Sequence, residues 1–291
     1  MASFDTRYKS ATIEGLNVFY REAGDPQNPT LLLLHGFPTS SHMFRNLIAQ
    51  LADEFHLVAP DHIGFGNSSA PTVAEFDYSF DHLTAVTEKL LDRLDLQQFA
   101  IYIHDYGAPI GLRIASRTPD RVTAIITQSG NAYIEGFTTF WDLLFAHAKD
   151  RAAHEAEVRE LFKRETTEWQ YTHGVPRDRL DRIAPDAWQL DQVGLDRPQS
   201  DAIQLQLFWD YQFNLDGYPK FQQYFQVHQP PTLVTWGRND EIFGPAGAQA
   251  FERDLPDAEI HLLDAGHFAL ETHGDEIAAL IRDFLRRKIT G

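Results

Sequence analysis

The sequence predicts an α/β fold, a mostly parallel eight-stranded sheet flanked by helices, with a helical segment inserted late in the sheet. Three observations predict it. Short β-branched and apolar runs alternate with helical patterns between residues 31 and 128, an order that requires a parallel sheet with crossovers. The run Leu31-Leu32-Leu33-Leu34 is apolar without alternation, as in a strand covered on both faces. From Tyr133 to about His228 no strand-like run occurs, and strands resume only after Pro230-Pro231.

The elements follow in order. Ala11-Thr12-Ile13 and Asn17-Val18-Phe19-Tyr20 read as a hairpin turning near Glu14-Gly15. Leu31–Leu34 is a central strand ending in His35-Gly36-Phe37-Pro38, Met43 to Ala52 has helical spacing, and Phe55 to Ala59 is the next strand. Ser79 is a candidate N-cap for a helix to Leu94. Phe99–His104 is a strand, Ala108–Arg117 a helix ended by Pro119, and Val122–Gln128 a strand. The segment after Tyr133 carries amphipathic stretches such as His154 to Arg164 and four of the five Trp (Trp141, Trp169, Trp188, Trp209), aromatics that mainly bury area. Thr232–Trp236 and Glu259–Leu263 complete the sheet, and Asp275 to Arg286 closes the chain as a helix. The expected division is a core of residues 1–132 and 229–291 and a helical cap of residues 133–228.

Composition bounds the function. The net charge of −17 argues against nucleic acid as a partner. No run of about 18 apolar residues offers a membrane span, and the start Met1-Ala2-Ser3-Phe4-Asp5 lacks a signal-peptide pattern, so a cytoplasmic location is expected. The absence of Cys excludes thiol catalysis and Cys-ligated metal. No paired-His metal motif occurs, and Gly64-Phe65-Gly66 is not followed by a phosphate-binding pattern. No cofactor is expected. Oligomeric state is left open, a homodimer included.

The chemistry concentrates where strands end. Asp105, Asp240 and His267 follow three strands, in the chain order nucleophile, acid, histidine, at the carboxyl edge where open α/β sheets bind ligands. An ionised carboxylate needs no base to activate it at neutral pH. Asp105 would attack carbon to form an alkyl ester, His267 would activate a water to hydrolyse it, and Asp240 would hold the histidine tautomer. The backbone N–H groups of Phe37 and Tyr106 would form an oxyanion hole. His35 is read as fixing that loop rather than titrating, and His104 as structural.

The sequence resembles the aspartate-nucleophile branch of the α/β-hydrolases: epoxide hydrolases, haloalkane dehalogenases and fluoroacetate dehalogenases. The resemblance rests on His35-Gly36-Phe37-Pro38, Asp61 to Ser68, His104-Asp105-Tyr106-Gly107, Gly237 to Asp240 and Gly266-His267. Asp105 stands where most of the superfamily has Ser, in an elbow whose first Gly position is Ile103. Haloalkane dehalogenases place Trp after the nucleophile and usually Asn after His-Gly; here these are Tyr106 and Phe37. Fluoroacetate dehalogenases place Arg at the positions of Tyr106 and Pro109. Epoxide hydrolases share His-Gly-Phe-Pro and use two cap tyrosines to protonate the opening ring. Tyr211 resembles the later one, and Tyr171 is the candidate for the earlier, with Trp169 or Tyr133 as alternatives. The resemblance thus implies an epoxide hydrolase acting on a small neutral or apolar substrate with water. The alternatives are a haloalkane or haloacid dehalogenase and, in a different class, a non-catalytic ligand-binding protein of this fold.

Overall fold

The computed structural model describes residues 5–289; residues 1–4, part of the stretch read for a signal peptide, lie outside the described residues. The strands are β1 (Arg7–Ile13), β2 (Leu16–Ala23), β3 (Thr30–Leu34), β4 (His56–Pro60), β5 (Phe99–His104), β6 (Val122–Gln128), β7 (Thr232–Gly237) and β8 (Glu259–Leu263). They form one sheet in the order β1-β2-β4-β3-β5-β6-β7-β8. Only the β1/β2 and β2/β4 pairs are antiparallel. The hairpin turns on Glu14 and Gly15, both at positive φ, as a two-residue loop matched to strand twist requires. β1 is longer than its three predicted residues because it is mostly exposed and so shows little apolar alternation.

β4, β5 and β7 are buried along their whole length, as is β3 after its first residue. Period-two alternation sorts their side chains onto two faces. Leu32, Leu34, Ile101, Ile103 and Val234 join one apolar cluster, and Leu31, Leu33, Ala100, Tyr102 and Leu233 join another. α2 (Phe80–Arg93), capped by Ser79, and α3 (Gly107–Arg117) cover the first face. α1 (Arg45–Leu51) and the closing helix (Ala269–Lys288) cover the second and are tied by the Arg45–Glu271 ion pair at 2.8 Å. That closing helix begins six residues before the predicted Asp275, because it runs through a non-helical kink at His273.

Between β6 and β7 the described residues contain helices, turns and one isolated bridge (Phe137 to Phe243), but no strand. The helices are α4 (Trp141–Lys149), α5 (Arg151–Arg159), α6 (Arg164–Thr172), α7 (Pro185–Leu195), α8 (Ser200–Asp210) and α9 (Gln212–His228). A single helix over His154 to Arg164 is not formed; α5 ends in a tight turn at Glu160–Phe162. A short helix, α10 (Pro245–Ala250), precedes β8, so the closing helix is α11. No described helix is long and apolar enough to cross a membrane.

Candidate active site

Asp105 sits between β5 and α3 with φ +48°, a left-handed conformation costly for a residue with a Cβ. Its neighbours make the bend feasible. A Cβ on Gly107 would lie 2.1 Å from the Leu34 carbonyl oxygen, and one on Gly36 would lie 2.3 Å from the Asp105 side chain. Only glycine lets these backbones approach so closely.

The carboxylate that results is 5% exposed. Its Oδ1 accepts the Phe37 backbone N–H at 2.7 Å. Burial pushes its pKa up to about 6, while the charge of His267 and the N–H groups of Phe37 and Tyr106 hold it from rising further. Tyr106 immediately precedes the first turn of α3, whose dipole also favours negative charge here.

His267 follows β8, and its Nδ1 lies 2.9 Å from Asp240 Oδ2. Asp240 follows β7, and its Oδ1 accepts the N–H groups of Ile242 (2.8 Å) and Phe243 (3.1 Å). The acid is therefore fixed by its own loop and fixes the imidazole tautomer in turn. His267 Nε2 is buried and has no hydrogen-bond partner. Burial opposes protonation of His267, yet Asp240 and the charge of Asp105 outweigh it, and the pKa lies above the ordinary histidine value. Gln128, at the end of β6, steadies the same loop by donating to the His267 carbonyl at 2.7 Å.

Two other buried histidines, His35 and His104, have structural work. His35 Nε2 accepts the His62 backbone N–H at 3.1 Å, which leaves Nδ1 to donate to the Gly36 carbonyl at 3.0 Å. Burial pushes its pKa down to about 4, so it stays neutral. His104 Nδ1 is bonded to the Gln128 carbonyl at 2.9 Å.

Above Asp105 lies a small, partly enclosed cavity of about 10 Å³, lined by Asp105, Phe37, Tyr106, Phe140, Trp141, Gln170, Phe208 and Ile242. It holds one water at most. The Trp141 indole N–H is spent on the Ile242 carbonyl at 2.8 Å. The Tyr106 hydroxyl is buried without a hydrogen bond. Tyr211 packs its ring 4.4 Å from Trp141 and 6.0 Å from Tyr106, and its buried hydroxyl makes no hydrogen bond of good geometry. Burial, then Tyr218 and the charge of Asp105, push the Tyr211 pKa well above 10, so the phenol keeps its proton.

Tyr171 is not placed for the role expected of it. Its ring stacks on Phe268 with centroids 3.9 Å apart, and its hydroxyl donates to Asp191 at 2.5 Å, so its proton is already committed. A helix turns about 100° per residue, so successive residues of α6 face different ways. Trp169 stacks on Phe140 and on His173, on the far side of the cavity wall. Gln170, between them, is the α6 side chain that reaches the cavity. Tyr133, the other alternative, is bonded through its hydroxyl to Asp254 at 2.9 Å. The cap phenol that instead neighbours Tyr211 is Tyr218, whose hydroxyl accepts from Asn131 Nδ2 at 3.3 Å. Tyr218 was legible in principle, since seven residues is two helical turns. Gln170 had no sequence signal, because a carboxamide in a polar helix reads as surface.

Residues 29–274 match the family of the α/β-hydrolase fold. The chain is 45% identical over 276 residues to YNR064C of Saccharomyces cerevisiae, named an uncharacterised hydrolase, across 93% of this chain and 94% of that one. It is 28% identical over 275 residues to a haloalkane dehalogenase of Mesorhizobium japonicum, across 91% and 87%. It is 25% identical over 292 residues to a cis-3-alkyl-4-alkyloxetan-2-one decarboxylase of Shewanella oneidensis, across 89% and 82%. Among solved structures, the haloalkane dehalogenase DatA of Agrobacterium tumefaciens C58 shares the fold with a TM-score of 0.79 over 97% of both chains, at 23% identity.

Proposed function

The chain belongs to the α/β-hydrolase family, and from that premise we propose that it opens epoxides to diols through an ester on Asp105. The Asp105 oxygen not held by Phe37 attacks an epoxide carbon; a carbon–oxygen bond forms as the ring carbon–oxygen bond breaks. The released oxygen takes the Tyr211 proton. His267 then removes a proton from water, the hydroxide adds to the ester carbonyl, and that oxygen's charge is met by the Phe37 and Tyr106 N–H groups. Collapse frees the diol and restores the carboxylate, and the proton on His267 returns to the phenolate. The helical insert serves as the lid over this chemistry, and its aromatic lining suits a small apolar substrate.

Esterification also tunes the base. The charge of Asp105 raises the His267 pKa, and the ester removes that charge. The imidazole is thus easier to keep neutral at the step where it must accept a proton.

The observation that carries the epoxide reading is the set of free donors. The Tyr106 and Tyr211 hydroxyls are buried without a hydrogen bond of good geometry, Tyr106 on the cavity that Asp105 lines and Tyr211 packed against Tyr106, while the Trp141 N–H is engaged. A departing epoxide oxygen needs a proton, which a phenol can give; a departing halide does not. The oxetanone in the name of the Shewanella relative is likewise a strained oxygen ring. Incubation with styrene oxide, followed by diol analysis, tests the reading; no diol from a broad epoxide panel contradicts it. The second reading, dehalogenation, is favoured by the Mesorhizobium relative and by the Gln170 amide as a halide donor. Halide release from bromoalkanes distinguishes it.

A further inference from the structure

We infer that Gln170 is a catalytic residue of this site, whose carboxamide N–H binds the departing oxygen while Tyr211 supplies its proton. The inference rests on the Asp105 ester reading and adds a residue to it.

Gln170 is 2% exposed and lines the cavity that Asp105 lines. Its Nε2 is buried with no hydrogen-bond partner. A buried donor left unpaired is unfavourable, and a helix free to rotate would turn it to a partner or to water. α6 is not free to rotate. Tyr171 is held by Asp191 and stacked on Phe268, Thr167 Oγ1 donates to Gln192 Oε1 at 2.7 Å, and Trp169 stacks on Phe140. Three neighbours on the same helix therefore aim the amide into the cavity and hold it there. Such a donor, fixed in advance and buried, suits charge that develops only as a bond breaks.

A carboxamide is not an acid, so Gln170 transfers no proton. As Asp105 bonds to the epoxide carbon, the ring oxygen gains negative charge, accepts the Gln170 N–H as a hydrogen bond and takes the proton of Tyr211. The later hydrolysis, at the Asp105 carbonyl, draws on Phe37, Tyr106 and His267 and makes no use of Gln170. The two chemical steps should therefore respond differently to its loss.

The test uses the full chain in a His267→Gln background, where the ester accumulates. Styrene oxide is added and ester formation is followed by intact mass, with and without Gln170→Met, which keeps the side-chain size and removes the donor. Hydrolysis of the ester, once formed, is measured separately in the Gln170→Met single variant. The expected result is ester formation slowed about 100-fold, with hydrolysis of the formed ester unchanged. Equal rates of ester formation overturn the role of Gln170 and leave Asp105 as nucleophile. No adduct in His267→Gln itself overturns the ester reading and this inference with it. Should Gln170→Met fail to fold, Gln170→Leu, also close in size and without a donor, carries the same comparison.

Discussion

The backbone N–H of Phe37 holds Asp105 Oδ1 at 2.7 Å, so the group that orients the carboxylate also stands where an ester carbonyl oxygen would lie. The two loops that meet there come from adjacent parallel strands, β3 and β5. Their contact needs Gly36, since any Cβ at that position would overlap the Asp105 side chain. Nucleophile and oxyanion donors are thus built by one close approach, and what disturbs it disturbs both steps.

Asp105→Asn should abolish turnover and raise stability. A folded-state pKa of about 6 against 3.8 means that the folded chain binds more protons than the unfolded chain between these values. Stability therefore falls as pH rises through that window, and above it the ionised Asp105 costs about 3 kcal/mol. Asn removes that charge and tolerates positive φ better than most residues. Thermal unfolding at pH 8 checks this; a lower melting temperature for the variant speaks against it.

The same charge sets the pH dependence. kcat/KM for an epoxide should fall below about pH 6, where Asp105 is protonated. His267 titrates above the ordinary histidine value in the free protein and should drop toward it in Asp105→Asn, because one of the charges that raises it is gone. An NMR titration of His267 in both proteins decides the point. No basic limb should come from Tyr211, whose pKa lies well above 10.

Two tyrosines of the insert should separate cleanly. Tyr211→Phe should slow ester formation by about 10²-fold or more, the range for a lost general acid. Tyr171→Phe should leave the chemistry nearly intact and lower stability by about 1–3 kcal/mol, since it strips the hydrogen bond from Asp191. Burial already pushes that carboxyl up to about 7. Equal effects of both substitutions on ester formation would return Tyr171 to the site.

The sheet and the elbow were legible because their signals are local. β5 is a continuous apolar and aromatic run, and Asp105 follows it directly. Asp240 and His267 are legible for the same reason, each standing just past a strand end. The insert was not, because facing in a helix depends on rotation, and rotation is fixed by tertiary partners. Trp169, Gln170 and Tyr171 are consecutive, and which of them faces the Asp105 cavity is decided by Asp191, Phe268 and Phe140, far apart in sequence. The long first strand escaped for the opposite reason: it is mostly exposed and leaves little apolar pattern.

The central claim is that Asp105 becomes esterified, and intact mass spectrometry of His267→Gln after exposure to styrene oxide tests it most directly. The account predicts a gain equal to one substrate molecule, mapped by peptide fragmentation to Asp105 and absent from the Asp105→Asn, His267→Gln double variant. An unmodified chain under conditions where the native protein forms diol, or an adduct on another residue, would contradict it.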